Sequence, residues 1–399
     1  MFLNLLVLGD DVCRGLLVFY EKKPLGKAGL RWLKIHLANV YGHSNRAKFT
    51  LVEREKFTEA HLPQILASAE NPMGTSWWKE AESPWQTLAT CFEVVFVLHI
   101  FYFRILLSAR SCLQLAEALK SDNPEEFMTG LPVHQDGSCN GLQHYAALSG
   151  DELGALYVNL TPSENPKDIY ETIAERVKEA IDIDVNDPAS PNHAIAQLTR
   201  PYISRKIVKH PVMTSVYGAR LAGTSSQIEQ RLKEISKFPT ERYYESSRYI
   251  ARKVEASLGE IFEAANSIKS CLDVRKQKAS FPPNFIHSLD SSHMFRTALA
   301  CNDKNITFAA VHDSFWTHPC DVPLMNKIIR EEFVNMHKQD IMTNLKVAFF
   351  FKIYVSLFIF FNCFFKAYFE NLYKKPFPPL PKRGSFDINL VQQSTYFFS

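Results

Sequence analysis

Two short segments, far apart in the chain, each place a carboxylate where a metal-dependent site would need one. Residues 131–148, LPVHQDGSCNGLQHYAAL, carry Asp136, and residues 306–317, ITFAAVHDSFWT, carry Asp313. Asp136 ends a short apolar run and precedes Gly137, whose carbonyl is easily approached, so the pair suits a hard cation. Asp313 falls where ITFAAV stops and FWTH begins, which reads as a hairpin with His312 and Asp313 at its tip. If the two units pair, both carboxylates meet at one end of a small sheet. Two such groups can hold two Mg²⁺ ions roughly 3.5–4 Å apart, clamping an attacking and a leaving oxygen. Either aspartate alone reads as a turn-capping residue, and a third segment gives the pair its weight.

That segment, residues 205–218, reads RKIVKHPVMTSVYG. Arg205, Lys209, Met213 and Tyr217 recur every four residues, so they drift only about 40° per step and share one helical face. The two cations can meet the phosphates of a nucleotide, and the lysine can assist a departing pyrophosphate. Tyr217 can stack on a base and sense a sugar hydroxyl. Gly218 is a plausible stop for the helix. The bland alternative is an amphipathic surface helix, but that rarely needs Arg, Lys and Tyr on one stripe beside Val212 and Val216.

The elements that must position these groups are coarse but readable. Helical periodicity covers 168–182, 223–236 and 241–268, broken by Asn-Pro and Phe-Pro steps. Strand candidates are 131–135 and 306–311. Residues 281–290, FPPNFIHSLD, read as a loop leading into a helix through Ala300. No internal repeat is visible.

Composition sets wide bounds. In 399 residues, 46% are hydrophobic and 22% charged, so a packed core is expected and global disorder is not. Residues 200–278 hold 16 Lys/Arg against 8 Asp/Glu, a net +8 in a chain of +3 overall. A locally basic stretch in a near-neutral protein suits a polyanionic partner. The eight cysteines form no C-x-x-C pair, which argues against a zinc site or a disulfide framework. The first residues, MFLNLLVLGDD, match neither a secretory nor a mitochondrial leader.

Two apolar stretches break this texture: 94–107, VVFVLHIFYFRILL, and 347–365, VAFFFKIYVSLFIFFNCFF. The second is long enough to raise a membrane span. It contains Lys352 and Asn362 and lies between segments that read as soluble, so no stable membrane association is expected; a buried helix is an alternative, and a gene-model or splicing insertion is the favoured reading. Both read as insertions foreign to the fold, expected outside its core.

Taken in order, DGSCNGLQHYAAL, RK-x-VK-x-x-VMT-x-VYG and VHDSFWTH resemble motifs A, B and C of the single-subunit RNA polymerases of mitochondria and related phages, closest to the mitochondrial branch. LRWLKIHLAN (30–39), WWKEAESPWQTLATCFE (77–93), RKQKASFPPNFIHSLDSSHM (275–294) and STYFFS (394–399) agree. The resemblance covers roughly three quarters of the chain. It implies a helix-rich α+β fold, a right hand of palm and fingers with a small antiparallel palm sheet and the thumb largely missing. Residues 1–155 would be the first part of the palm, 156–287 the fingers, and 288–399 the second part of the palm. Asp136 and Asp313 would bind two Mg²⁺ ions, helped by the Gly137 carbonyl. Lys209 and Arg205 would meet triphosphate, with Met213 and Gly218 in the same nucleotide site. Tyr217 would select ribonucleotides, with His287 near it. The partners implied are a DNA template, an RNA product, ribonucleoside triphosphates and mitochondrial transcription factors, and the implied compartment is the mitochondrion.

The departures set alternatives. The family carries several tens of residues between Leu272 and Asp273, including a promoter-reading hairpin. The chain begins inside the family's palm. Pro211 falls inside the family's helix, where it removes an N–H and costs roughly 3 kcal/mol, and it disfavours helical angles at His210. A catalytically inactive product that keeps nucleic-acid binding is therefore one alternative, and a membrane-anchored protein is another. A DNA polymerase of the same palm lineage is disfavoured, because DGSCNGLQHY has no acidic residue closing off the sugar pocket.

Overall fold

A computed structural model of the protein describes residues 11–42, 49–102, 124–216, 219, 221–263, 275–344 and 383–398. The site rests on a three-stranded antiparallel sheet. Its strands are β3 (Val133–Asp136), β4 (Ala309–Val311) and β5 (Ser314–Thr317), in the order β3-β5-β4. A separate two-stranded ribbon pairs β1 (Lys23–Pro24) with β2 (Met128–Thr129). The β4–β5 hairpin turns on two residues, His312 and Asp313, with His312 in the left-handed region at φ 55°. The register sets Asp136 across from Ser314, so the strand carrying the first aspartate ends beside the turn carrying the second. The sheet anchors itself inward: Val133, Gln135, Phe315, Trp316 and Thr317 are all buried.

Helices make up most of the rest. Those that frame the site are α1 (Asp11–Gly15), α2 (Gly26–Tyr41), α3 (Leu51–Ala60), α4 (Leu62–Glu70), α5 (Pro84–Tyr102), α6 (Asn140–Ser149), α7 (Glu152–Tyr157), α8 (Ile169–Asn186), α9 (His193–Thr199), α10 (Arg205–Ser215), α11 (Leu221–Lys233), α12 (Tyr243–Ile261), α13 (Arg275–Asp303) and α14 (Val322–His337). Their starts follow local chemistry. Thr50 and Glu53 form a reciprocal capping box at α3, and the Asp168 carboxylate accepts from the backbone N–H groups of Tyr170 and Glu171 to start α8. One apolar core joins the inner faces of α6, α8, α10, α12 and α14 to the sheet, through residues such as Tyr145, Val177, Val208, Ile250 and Phe333. A second is built from α2, α4 and α5 around Leu33, Ile65 and Cys91.

The helix expected over 205–218 forms as α10 and runs through both His210 and Pro211. The proline does not break it, although the Ile207 carbonyl loses its N–H partner four residues on. Ile207, Val208, Pro211 and Val212 are all buried, so packing against α8, α11 and α12 holds the turn in place. Gly141 lets the end of this segment approach α6: a Cβ there would lie 2.7 Å from a Val216 methyl.

Two expectations are corrected. Residues 281–290 are not a loop but part of α13, because Ile286, Leu289, His293, Thr297 and Cys301 recur at helical spacing and are buried. Their burial outweighs the Phe-Pro-Pro signal. Nor is the apolar stretch beginning at Val94 wholly outside the core: α5 continues to Tyr102, and Val94 and Val95 are buried in the second core. The rest of 94–107, and all of 347–365, lie outside the described residues. Among the described residues no helix is long and apolar enough to cross a membrane.

The chain returns to the site at its C-terminal side. Phe398 bridges to Gly137, Ser138 Oγ donates to the Tyr396 carbonyl at 3.0 Å, and Gln143 Nε2 donates to the Phe397 carbonyl at 3.1 Å. Phe397 is fully buried, with its ring centroid 4.7 Å from that of Phe333. Phe397→Ala is expected to lower stability by about 3–5 kcal/mol, read from chemical denaturation. The loss should extend to site function, because the Asp136–Ser138 backbone leans on this segment.

Candidate catalytic cleft

A cavity of about 240 Å³ opens beside β3. Asp136, Gly137 and Ser138 form one wall. Asn39 and Gly42 at the end of α2, with Arg54 of α3, form another, and Lys167–Tyr170 with Arg205 and Lys209 form a third. Each group is delivered by an element already described. Asp136 is the last residue of β3. Arg205 and Lys209 are one turn apart on α10.

Asp313 stands behind Asp136 at the hairpin tip, where its carbonyl accepts the Gly137 N–H at 3.3 Å. Neither carboxylate makes an ion pair among the described residues. Burial pushes the Asp136 carboxyl up, against a hydrogen bond with Ser314 and the more distant charges of Arg14 and Arg54. Asp136 also keeps an exposed face on the cleft, so water there moderates the push. Asp313 is raised to about 6, through burial first and the charge of Asp136 second. Two crowded carboxylates without a cation are a poor arrangement for stability and a good one for binding positive charge.

That imbalance has a pH signature. The folded Asp313 pKa lies above its ordinary value of 3.8, so the folded state holds the proton more tightly than the unfolded chain does. Its contribution to stability is therefore full at acid pH and falls away as pH rises from about 4 to about 6. Asp313→Asn should raise the metal-free stability at pH 7 by about 1–3 kcal/mol and leave it nearly unchanged at pH 4. Denaturant melts at the two pH values check this, and equal effects at both would contradict it.

The cationic wall is uneven. Arg205 Nε pairs with Asp168 at 2.6 Å, and its guanidinium lies 5.2 Å from the Tyr170 ring centroid. The carboxylate that caps α8 thus also fixes this arginine. Lys209, half-buried, has no hydrogen-bond or ion-pair partner among the described residues. Its ammonium is free for a ligand.

The cleft therefore gathers Asp136, Gly137, Arg205 and Lys209, with Asp313 on the adjoining turn, outside the lining. Met213 is 40% exposed and does not line the cavity, and His287 is exposed on α13, also away from the lining. The α10 face drifts by about 40° per four residues, which carries Met213 off the wall that Arg205 and Lys209 share. Tyr217 and Gly218 lie outside the described residues. Sequence reasoning missed Asp168, Tyr170 and Arg54. For Asp168 a signal existed: an acidic residue just before a helical run is an N-cap signature.

A sequence profile of DNA-dependent RNA polymerases matches residues 23–101, 106–274 and 269–359. The chain is 41% identical to DNA-directed RNA polymerase 1B, mitochondrial, of Nicotiana tabacum, over 98% of its length and 41% of that protein's. It is 40% identical to DNA-directed RNA polymerase 1, mitochondrial, of Arabidopsis thaliana, over 98% of this chain and 42% of that one. It is equally similar, at 40% and with the same coverage, to DNA-directed RNA polymerase 3, chloroplastic, of Nicotiana sylvestris. The chain thus spans about two fifths of the length of the curated relatives it matches. The Nicotiana tabacum alignment, at 448 positions, exceeds the whole 399-residue chain by 49, so that relative carries segments with no counterpart here.

Proposed function

This chain belongs to the DNA-dependent RNA polymerase family, and from that membership we propose that its cleft carries out template-directed transfer of ribonucleotides to an RNA 3′ end. The observation that carries this reading is the approach of β3, ending in Asp136, to the β4–β5 turn that holds Asp313, with Asp136, Lys209 and Arg205 lining one cavity.

The donor set fits magnesium. It is all oxygen: two carboxylates with raised pKa and the Gly137 carbonyl. Among the described residues no cluster of three or more His, Cys, Asp or Glu side chains forms a preformed cage. Magnesium needs none, because it is held through one or two carboxylates with waters and substrate phosphates completing its shell. Asp136 and Asp313 would hold the ions, which when bound supply charge neutralisation to the reacting phosphate.

The remaining roles belong to side chains. Lys209 offers its free ammonium to the triphosphate and neutralises the departing pyrophosphate. Arg205, tied to Asp168, contributes positive charge from a fixed position. Tyr217 is assigned to ribose selection, and Met213, Gly218 and His287 to the same nucleotide site, from the family motif rather than from the cavity lining. The sheet and the segments flanking it act as palm, and 156–287 as fingers. Template DNA, product RNA and ribonucleoside triphosphates are the partners, with mitochondrial transcription factors acting on the longer assembly. The compartment is an organelle, the mitochondrion before the plastid.

The test is sugar choice on a preformed RNA–DNA scaffold with Mg²⁺. Ribonucleotides should be added in preference to deoxyribonucleotides, and Tyr217→Phe should narrow that preference about tenfold or more by removing one hydroxyl. Preference for deoxyribonucleotides by the unaltered chain would overturn the reading.

A further inference from the structure

We propose that Arg54 is a phosphate-binding residue of the cleft, gripping a phosphate group from the α2–α3 wall while Lys209 meets phosphate from α10. The inference rests on the nucleotidyl-transfer reading and adds a contact to it.

Arg54 is 6% exposed, yet it lines the cavity. Its Nε donates to the Phe49 carbonyl at 3.2 Å and one Nη to Asn39 Oδ1 at 2.9 Å. These bonds use two of the five N–H donors of a guanidinium that stays protonated at any working pH. Among the described residues no carboxylate pairs with it: Asp136 acts on it only at a distance. A buried cation without a counter-ion carries an uncompensated desolvation penalty. Arg205, half-buried in the same cleft, does have its counter-ion, in Asp168.

Rigidity makes the vacancy of negative charge specific. The capping box of Thr50 and Glu53 fixes the first turn of α3, and the Arg54 N–H bonds back to the Thr50 carbonyl at 3.0 Å. Asn39 then fixes the orientation of the guanidinium plane. A held, planar fork with free donors matches two non-bridging oxygens of one phosphate. Phosphate can reach this cleft as the triphosphate of a nucleotide or as a phosphodiester of a nucleic-acid strand.

Binding of two probes to the full chain distinguishes these sources: inorganic tripolyphosphate, and an RNA–DNA primer–template, each followed without nucleotide and alongside thermal melting. Arg54→Gln should weaken at least one of them about tenfold or more, the scale of a lost charge-assisted contact. Loss confined to tripolyphosphate assigns the nucleotide's triphosphate, and loss confined to the scaffold assigns the strand. If Arg54→Gln does not fold, Arg54→Lys decides: weakening of threefold or more at an unchanged melting temperature supports the contact. Wild-type affinity for both probes in the folded variant overturns it and leaves Arg54 as a tie between α2 and α3. Asp313→Asn separates the layers. If it abolishes extension while Arg54 variants bind both probes normally, only this inference falls. If extension survives Asp313→Asn, the reading beneath it falls.

Discussion

Asp313→Ala is expected to reduce primer extension on an RNA–DNA scaffold by at least about 10³-fold at saturating nucleotide, and Asp136→Ala by the same order. Catalysis of phosphoryl transfer is nearly all positioning and charge neutralisation, so a lost carboxylate has no chemical substitute. Nor is there a structural one: among the described residues no third acidic or imidazole group gathers with this pair into a potential metal cluster. The two aspartates act as one unit, so the double variant should be scarcely slower than either single variant. Single-turnover rates measure this, with melting curves run beside them. Asp313→Asn gives the sharpest contrast, since it should be more stable than the parent at pH 7 while failing to extend. Residual extension above about a hundredth of the parent rate would show that Asp313 does not hold the reacting ions.

Lys209→Ala is the second large effect, with the extension rate falling about 10²-fold and scaffold affinity changing by less than about threefold. The separation follows from its surroundings. Lys209 has no partner among the described residues, so its removal breaks nothing in the fold. Its one contribution is positive charge in a cavity shared with Asp136 and Gly137. Arg205 differs, because it is paired with the residue that caps α8, and Arg205→Ala should lower stability together with rate. Rate-against-affinity measurements on the two variants distinguish these cases. A Lys209 variant that loses scaffold binding in proportion to rate would place the lysine on the nucleic acid instead of the nucleotide.

How much of this was legible follows from the range of each signal. The hairpin with Asp313 at its tip could be read because its signals are local: two short apolar strands and a two-residue turn. The stripe of Arg205 and Lys209 could be read because helical spacing repeats every turn, and α10 kept it across Pro211 because tertiary packing outweighs one lost hydrogen bond. The same dominance of packing defeated the loop reading of 281–290, where buried Ile286 and Leu289 hold a helix that Phe-Pro-Pro argues against. Long-range contacts left no local trace. Nothing near Gly137 announces Phe398, and nothing in VEREKF distinguishes a buried Arg54 from a solvated one. Met213 shows the limit of periodicity itself, since a stripe on one helix face still rotates off the cavity wall within two turns.

The most direct measurement is single-nucleotide addition to an RNA primer on a DNA template whose templating base is varied. With Mg²⁺ present, the chain should add only the ribonucleotide complementary to each of the four templating bases, and addition should cease in Asp136→Ala. Addition that ignores the templating base, or that persists without Asp136, would contradict a template-directed nucleotidyl transfer centred on this cleft.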